Sequence, residues 1–472
     1  MADILLAHGN HLYFDRKQVR KMQPYPPLQT LLAAACLRRE GYDTALFDCT
    51  LAYSEESFRE ALDRHRPRLV ALCEDNFNFL TKMCLTRNRE LAFSMLHAAK
   101  ERGLPVVVNS SDASNHVGDY LRNGADFVIL GEVEASLLEA AHHLLRAGKP
   151  PAAEIAGLAY RDPATRTLRI NPPRQPIEDL DSLPEPAWDL IDAEAYREAW
   201  IAAHGYFSLN MVSSRGCPYR CNWCSKPIHG SAYHYRSPRQ VAAEMRRLKL
   251  MFRPDHLWFA DDIFALSAQW TREFTEAVEA ADAGIPFKMQ SRCDLMTRGT
   301  VDALRRAGCA EVWMGAESGS QKVLDAMEKS MRVEHTYAAC ENLRAHGIRI
   351  GLFLQFGYPG ETWEDIQSTI RMVRQAKPDD IGVSVAYPLP GTEFYDLVSS
   401  QLGVKKNWDH SDDLAMMFQG AYHSEFYRAL RDALHGEVGG AVGPELSELW
   451  RNVEALEKTH AAPNPTPLWT CC

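Results

Sequence analysis

The sequence predicts an α/β protein built as two consecutive βα arrays: an N-terminal Rossmann-like, doubly wound domain, then a partial (β/α)6 TIM-like barrel. Three observations predict it. Short apolar runs alternate with segments of helical period along residues 1–147. A break, Gly148–Ala153 (GKPPAA), interrupts the series. A second alternation then runs over residues 205–400.

In the first array the expected strands are Asp3–Ala7, Asp43–Phe47, Leu69–Cys73, Leu104–Val108 and Phe127–Leu130. These runs are continuously apolar, as strands covered on both faces are. Leu28–Glu40 and Arg89–Arg102 carry helical spacing. Residues 148–204 read as a linker, with a small hairpin from Gly157–Asp162 and Leu168–Pro172. Ser182-Leu183-Pro184-Glu185-Pro186 reads as an extended connector, because proline excludes helix there. In the second array the expected strands are Ser208–Ser213, His256–Ala260, Phe287–Ser291, Glu311–Gly315, Ile348–Phe356 and Ile381–Tyr387. Helices are expected near 238–252, 268–283, 299–307, 320–327, 334–346 and 362–376. The chemistry of such a barrel belongs at the C-terminal strand ends. Residues 401–472 read as a less regular extension with a disordered end, AAPNPTPLWTCC, and segment 401–460 as a cover for the barrel's open side.

Composition bounds the function. Hydrophobic residues make up 46% of the chain and charged residues 24%, enough for two sizeable cores. The net charge of -10 is spread along the chain and lacks the basic footprint of a nucleic-acid binder. The start, MADILLAHGNHLYF, has no signal-peptide pattern. No stretch approaches the ~18 apolar residues of a membrane span. The expectation is a cytoplasmic protein. Of the twelve cysteines, Cys36, Cys49, Cys73, Cys84, Cys293, Cys309 and Cys340 stand singly and read as small buried hydrophobes. A disulfide scaffold is not expected. Cys471 and Cys472 read as part of a frayed end.

Ser213–Lys226, SSRGCPYRCNWCSK, is different. It follows the first strand of the barrel. Cys217, Cys221 and Cys224 are spaced so that one compact loop wraps an iron–sulfur cluster corner by corner, with thiolates as the soft ligands it needs. Three cysteines leave a fourth iron open to a small molecule bearing an amine and a carboxylate. A structural zinc site would want a fourth ligand, for which His229 and His234 lie near.

The pattern Cys-x-x-x-Cys-x-aromatic-Cys, with Trp223 before the last cysteine, resembles the radical S-adenosylmethionine (radical SAM) signature. Phe259-Ala260-Asp261-Asp262-Ile263-Phe264, Gly315-Ala316-Glu317-Ser318-Gly319, Gly357-Tyr358-Pro359-Gly360-Glu361-Thr362 and Tyr387-Pro388-Leu389-Pro390-Gly391-Thr392 follow in the order the family shows. The resemblance implies a 4Fe-4S cluster on the three cysteines. It implies S-adenosyl-L-methionine near Trp223, Asp261, Asp262, Ser291, Arg292, Glu317 and Phe356. Each has a plainer reading: Asp262 as a helix cap, Glu317 as a helix-start acid, Arg292 as half of an ion pair.

The first half resembles the cobalamin-binding domains that precede many such barrels. The matching segments are Pro26-Pro27-Leu28, Leu37-Arg38-Arg39-Glu40-Gly41-Tyr42, Phe47-Asp48 and Leu130-Gly131-Glu132-Val133-Glu134. Cobalamin is then expected near Asn109, Ser110, Ser111, Gly131 and Glu132, although Val108–Ser114 lacks the glycines and histidine usual there and no Asp-x-His-x-x-Gly motif is present. The whole resembles class B radical SAM methyltransferases and anaerobic magnesium-protoporphyrin IX monomethyl ester cyclases. That resemblance implies reductive cleavage of S-adenosylmethionine to a 5′-deoxyadenosyl radical. Cobalamin-dependent methylation of an unactivated carbon of a small-molecule substrate would follow, fed by an external electron donor such as flavodoxin or ferredoxin. Oxidative cyclisation or rearrangement with the same cofactors stays open. So does a non-catalytic electron-transfer or SAM-sensing protein, against which the motifs at several strand ends argue.

Overall fold

β1 (Ile4–Ala7) is buried throughout and alternates between two cores. Leu5 and Ala7 join one apolar cluster, while Ile4 and Leu6 join another on the opposite face. A strand apolar on both faces needs cover on both, and helices supply it. β1 pairs in parallel with β2 (Thr44–Phe47) and β3 (Leu69–Cys73). β3 leads to β4 (Val106–Asn109) and then β5 (Phe127–Ile129), again in parallel. The computed structural model describes residues 1–146 and 150–460. The sequence AAPNPTPLWTCC, with Cys471 and Cys472, lies outside them.

Residues 155–200 are not only a linker. β6 (Leu158–Arg161) lies antiparallel on β5 and pairs with β7 (Leu168–Ile170), giving one seven-stranded sheet ordered β2-β1-β3-β4-β5-β6-β7. The hairpin expected from the sequence is present, but it extends the first sheet. Helix Ala193–His204, also unforeseen, is capped by the Asp192 carboxylate, closes at Gly205 with φ +76°, and buries Tyr196 and Trp200.

β8 (Ser208–Met211) opens the second array. The next residues turn away into a short antiparallel pair, β9 (Ser214–Arg215) with β10 (His234–Tyr235). β11 (His256–Phe259), β12 (Phe287–Ser291), β13 (Cys309–Glu317), β14 (Arg349–Phe356) and β15 (Asp380–Val385) complete a parallel sheet ordered β15-β14-β13-β12-β11-β8. Six strands in sequence order with no β8–β15 pairing make an open barrel, as expected.

Both edges of the opening are covered. At β8, Asn210 Nδ2 donates to Pro26 O at 3.0 Å and Tyr25 OH lies 3.2 Å from Ser208 Oγ. At β15, helix Ser424–Val438 packs with Phe426, Tyr427, Leu430, Ala433 and Leu434 buried. Segment 401–460 is therefore more regular than its sequence suggests, since Gly443–His460 is a second helix. The Gly439–Gly440 break between these helices hides their period. Segments 15–20 and 411–412 meet: Ser411 N donates to Asp15 at 2.8 Å, Lys17 Nζ to Ser411 O at 3.2 Å, and Arg20 pairs with Asp412 at 3.0 Å. Among the described residues no helix is long and apolar enough to cross a membrane.

Candidate active site at the mouth of the open barrel

The three cysteines occupy the loop that β9 and β10 tie at its neck. Gly216 makes the neck, with φ +77°, and a Cβ there would lie 1.9 Å from Ala232 O. Only glycine allows that approach. Asp261, at the end of β11, holds the same neck from below. It accepts from Ser213 N at 3.1 Å, Ser213 Oγ at 2.7 Å and Ser214 Oγ at 2.5 Å. Burial pushes the Asp261 carboxyl up to about 6, against the hydroxyls that hold it down. Its carboxylate is thus already engaged by the loop.

Inside the loop, Lys226 Nζ donates to the carbonyls of Cys217 and Tyr219 at 2.9 and 2.5 Å. Asn222 fixes the outer side: its Nδ2 donates to Ala326 O at 2.9 Å and its Oδ1 accepts from Tyr358 OH at 2.9 Å. The three thiols are half-buried and free, whereas the seven scattered cysteines are buried, as expected. Burial pushes the Cys224 thiol up to about 12, so taking a metal there releases a proton. Among the described residues no three His, Cys, Asp or Glu side chains gather tightly enough for a single metal ion. Three thiols spread along one loop suit a cluster, whose corners each take their own ligand.

Other expected residues divide into two groups. Glu317 sits beyond a register shift in β13, in the left-handed region at φ +58°, and takes Lys329 Nζ at 2.7 Å. Both are buried, and Lys329 Nζ lies 5.9 Å from the centre of the Trp223 ring. Trp223 Nε1 is buried without a partner, an indole donor aimed at nothing the protein supplies. Arg292 stacks on Tyr219 of the cysteine loop at 3.7 Å and bonds Asp294 at 2.9 and 3.2 Å. Asp262 pairs with Lys82 from the first half, and this overcomes burial to hold its carboxyl below the usual range. These residues surround the loop. Ser291 and Phe356 do not: the Ser291 hydroxyl donates to Phe264 O at 2.8 Å, and Phe356 is a core side chain.

At the first sheet the expected residues are spent internally. Asn109 Nδ2 donates to Ile129 O and Gly131 O, both at 3.0 Å. Ser110 Oγ caps a short helix by accepting from Ala113 N at 2.8 Å, and Ser111 Oγ donates to Asn76 Oδ1 at 3.2 Å. Gly131 takes φ +80°. The Glu132 carboxylate accepts from Ile177 N at 2.7 Å and pairs with Arg215 at 3.2 Å. Burial opposes its ionisation, but His229 and Arg215 bring it down to about 2. Buried atoms without a partner include three in the segments after β1, β2 and β3: His11 Nδ1, Thr50 Oγ1 and Glu74 Oε2. A polar ligand at this edge would satisfy them.

The two edges face each other. Arg215, two residues before Cys217, also pairs with Glu134 at 2.5 Å. Phe77 stacks on His229 with ring centres 5.1 Å apart, and Tyr387 OH donates to Met83 O at 2.9 Å. Sequence reasoning missed Lys82, Arg215, Asn222, Lys226 and Lys329. Arg215 and Glu134 stood inside quoted motifs, but nothing in the sequence signals that they meet.

The open parallel barrel thus carries a cysteine hairpin at its C-terminal mouth, facing the strand ends of a Rossmann-like sheet. Residues 211–373 match the Radical SAM superfamily model. The chain is 26% identical to an uncharacterized methyltransferase of Pyrococcus horikoshii, over 60% of each protein. It is also 26% identical to the hopanoid C-3 methylase of Methylococcus capsulatus, over 84% of this chain and 73% of that one. To the anaerobic magnesium-protoporphyrin IX monomethyl ester cyclase of Rubrivivax gelatinosus it is 26% identical, over 53% of this chain and 44% of that one. The matches thus span between about half and three quarters of these relatives. Among solved structures, the radical SAM methyltransferase TsrM from Kitasatospora setae, determined with cobalamin and a [4Fe-4S] cluster, superposes with TM-score 0.69 at 19% identity, over 85% of this chain and 75% of that one. The cobalamin-dependent radical enzyme OxsB superposes with TM-score 0.74 at 16% identity, over 97% of this chain and 71% of that one. The shared fold thus extends over both sheets.

Proposed function

We propose that this chain is a cobalamin-dependent radical SAM methyltransferase acting on an unactivated carbon of a small molecule. The observation that carries the reading is the cysteine hairpin at the barrel mouth, tied by Arg215 to the edge of the first sheet. When bound, the cofactors supply reductive cleavage of S-adenosylmethionine to a 5′-deoxyadenosyl radical and a methyl donor for the substrate carbon.

The chain's own residues hold and orient. Cys217, Cys221 and Cys224 ligate the cluster, while Gly216, Asp261, Lys226 and Asn222 keep the loop closed around it. Trp223, Asp262, Arg292 and Glu317 take S-adenosylmethionine: the carboxylates its ammonium and hydroxyls, the guanidinium its carboxylate. Ser291 and Phe356 shape the wall behind it. Asn109–Ser111 and Gly131, through backbone, and the unpartnered groups after β1–β3 would hold cobalamin at the first sheet's C-terminal edge, where doubly wound sheets place ligands. Loop 77–83 crosses between the two edges, held by the Phe77–His229 stack and the Tyr387–Met83 bond. The half-buried thiols and exposed Arg220 suit electron delivery by an acidic carrier such as flavodoxin or ferredoxin, in the cytoplasm.

The test is anaerobic reconstitution with iron, sulfide and hydroxocobalamin, beside a Cys217→Ala/Cys221→Ala/Cys224→Ala variant. About four irons and one cobalt per chain are expected, with iron lost and cobalt kept in the variant. Iron without cobalt would remove the methylcobalamin reading. No cluster in the wild type would remove the whole.

A further inference from the structure

Asp262 ends β11 at the cysteine loop, yet the ammonium beside it comes from the other half of the molecule. Lys82 closes helix Phe79–Lys82, in the loop that follows β3. Lysine and aspartate side chains are each 21% exposed, so the pair sits at the rim of the mouth and not in the core. Asp262 is close enough to Cys217 and Cys224 to act on both electrostatically.

The segment carrying Lys82 is held at both ends: Phe77 stacks on His229, and Met83 and Leu85 are buried in the barrel's core. Met83 O accepts from Tyr387 OH and Thr86 N donates to Trp408 O at 2.9 Å. Between these anchors Cys84 is in the left-handed region at φ +52°, which a residue with a Cβ adopts at a cost. Beside Lys82, the Thr81 hydroxyl is buried with no partner. Three polar contacts tie this segment to the second half, and of these the ion pair to Asp262 is the one made by a charged side chain.

Glu317 offers the contrast. Its lysine, Lys329, comes from the barrel itself, and both partners are buried. That pair belongs to the wall. The Lys82–Asp262 pair joins two separate elements at a rim.

We propose that Lys82 is a surrogate for the ammonium of S-adenosylmethionine: it occupies the Asp262 carboxylate until the cosubstrate's own α-ammonium displaces it, and the release frees loop 79–85. This rests on the reading above that Asp262 receives that ammonium. Binding thus exchanges one cation for another at the same carboxylate, and the cosubstrate reports its arrival to the first half through the loop.

The exchange makes a prediction whose sign is unusual. Removing a neighbouring cation should tighten cosubstrate binding. Equilibrium dialysis of S-adenosylmethionine is measured anaerobically at pH 8 on the reconstituted full chain, comparing wild type, Lys82→Met, Lys82→Arg and Asp262→Asn. Lys82→Met should bind about two- to fivefold more tightly, the scale of one partly exposed ion pair. Lys82→Arg should stay near wild type and Asp262→Asn should bind more weakly. In the wild type, S-adenosylmethionine should speed amide hydrogen exchange in residues 79–85. Unchanged or weaker binding by Lys82→Met, with Asp262→Asn weakened, overturns the exchange while leaving the role of Asp262 intact. Unchanged binding by Asp262→Asn overturns that role and the proposal with it. Slower exchange in 79–85 on adding S-adenosylmethionine would also overturn it, because the loop would then be closing.

Discussion

Asn109, Ser110, Ser111 and Glu132, beyond β4 and β5, spend their hydrogen bonds on backbone, on Asn76 and on Arg215. Asp262, beyond β11, and Glu317, at the end of β13, each hold a single lysine. The first edge is a finished surface whose side chains serve its own turns, so a ligand there meets backbone and whatever polar atoms are left over. The second carries charges that an incoming ion can exchange. The difference teaches that the proposed cofactor sites differ in kind: one edge offers backbone and shape, the other pairings of charge.

The comparison can be broken most severely at the hairpin. Gly216→Ala places a methyl group on Ala232 O, and the neck cannot close. The expected result is loss of cluster iron on reconstitution with cobalamin content unchanged, read by elemental analysis. Full iron would show that the neck is not what holds the cysteines together.

Next in size is the link between the edges. Arg215→Met strands two buried carboxylates, Glu132 and Glu134. Breaking a buried pair in this way costs about 3–5 kcal/mol. A thermal melt should show that loss, and Glu132→Gln with Glu134→Gln in the same chain should recover part of it. A melt unchanged by Arg215→Met would mean that this buried triad adds nothing to the join between the two halves.

Glu361 sharpens the comparison within the barrel. Burial pushes its carboxyl up to about 8, against the amide of Gly357 that it accepts at 2.6 Å. The folded chain therefore keeps a proton that the unfolded chain releases near 4.5. Its contribution is fully present below that value and is lost as pH rises through about 8. Stability should fall by at most about 1.4 kcal/mol per pH unit across this window, and Glu361→Gln should flatten the slope. An unaltered slope in the variant would place the titration elsewhere.

The smallest effect is at Ser110. Ser110→Ala removes a helix cap and should cost about 1 kcal/mol without changing bound cobalt. A fall in cobalt at unchanged stability would mean that the hydroxyl, and not the backbone, meets the cofactor.

The sequence was most legible where neighbours in the chain are neighbours in space. Leu69–Cys73 and Phe287–Ser291 fold as the strands their runs predict, and other strand ends move by a few residues. The cysteine spacing identifies a loop because all three ligands lie on it. Lys82 and Asp262 are 180 residues apart, and no spacing rule reaches that far. The β6–β7 hairpin was visible but not its destination, since its pairing to β5 is made across the intervening helix Glu134–Leu145. Helix Ser424–Val438 was missed because its apolar face matters only once β15 is left as an open edge.

That edge and its twin at β8 are sealed from opposite ends of the described chain, with Asp15, Lys17 and Arg20 clasping Ser411 and Asp412. The gene cannot therefore be cut into two freely exchangeable cassettes. A barrel lacking the first 28 residues would show its β8 flank to water, and ribosomal synthesis cannot finish the clasp until its last partner, more than 380 residues downstream, has emerged.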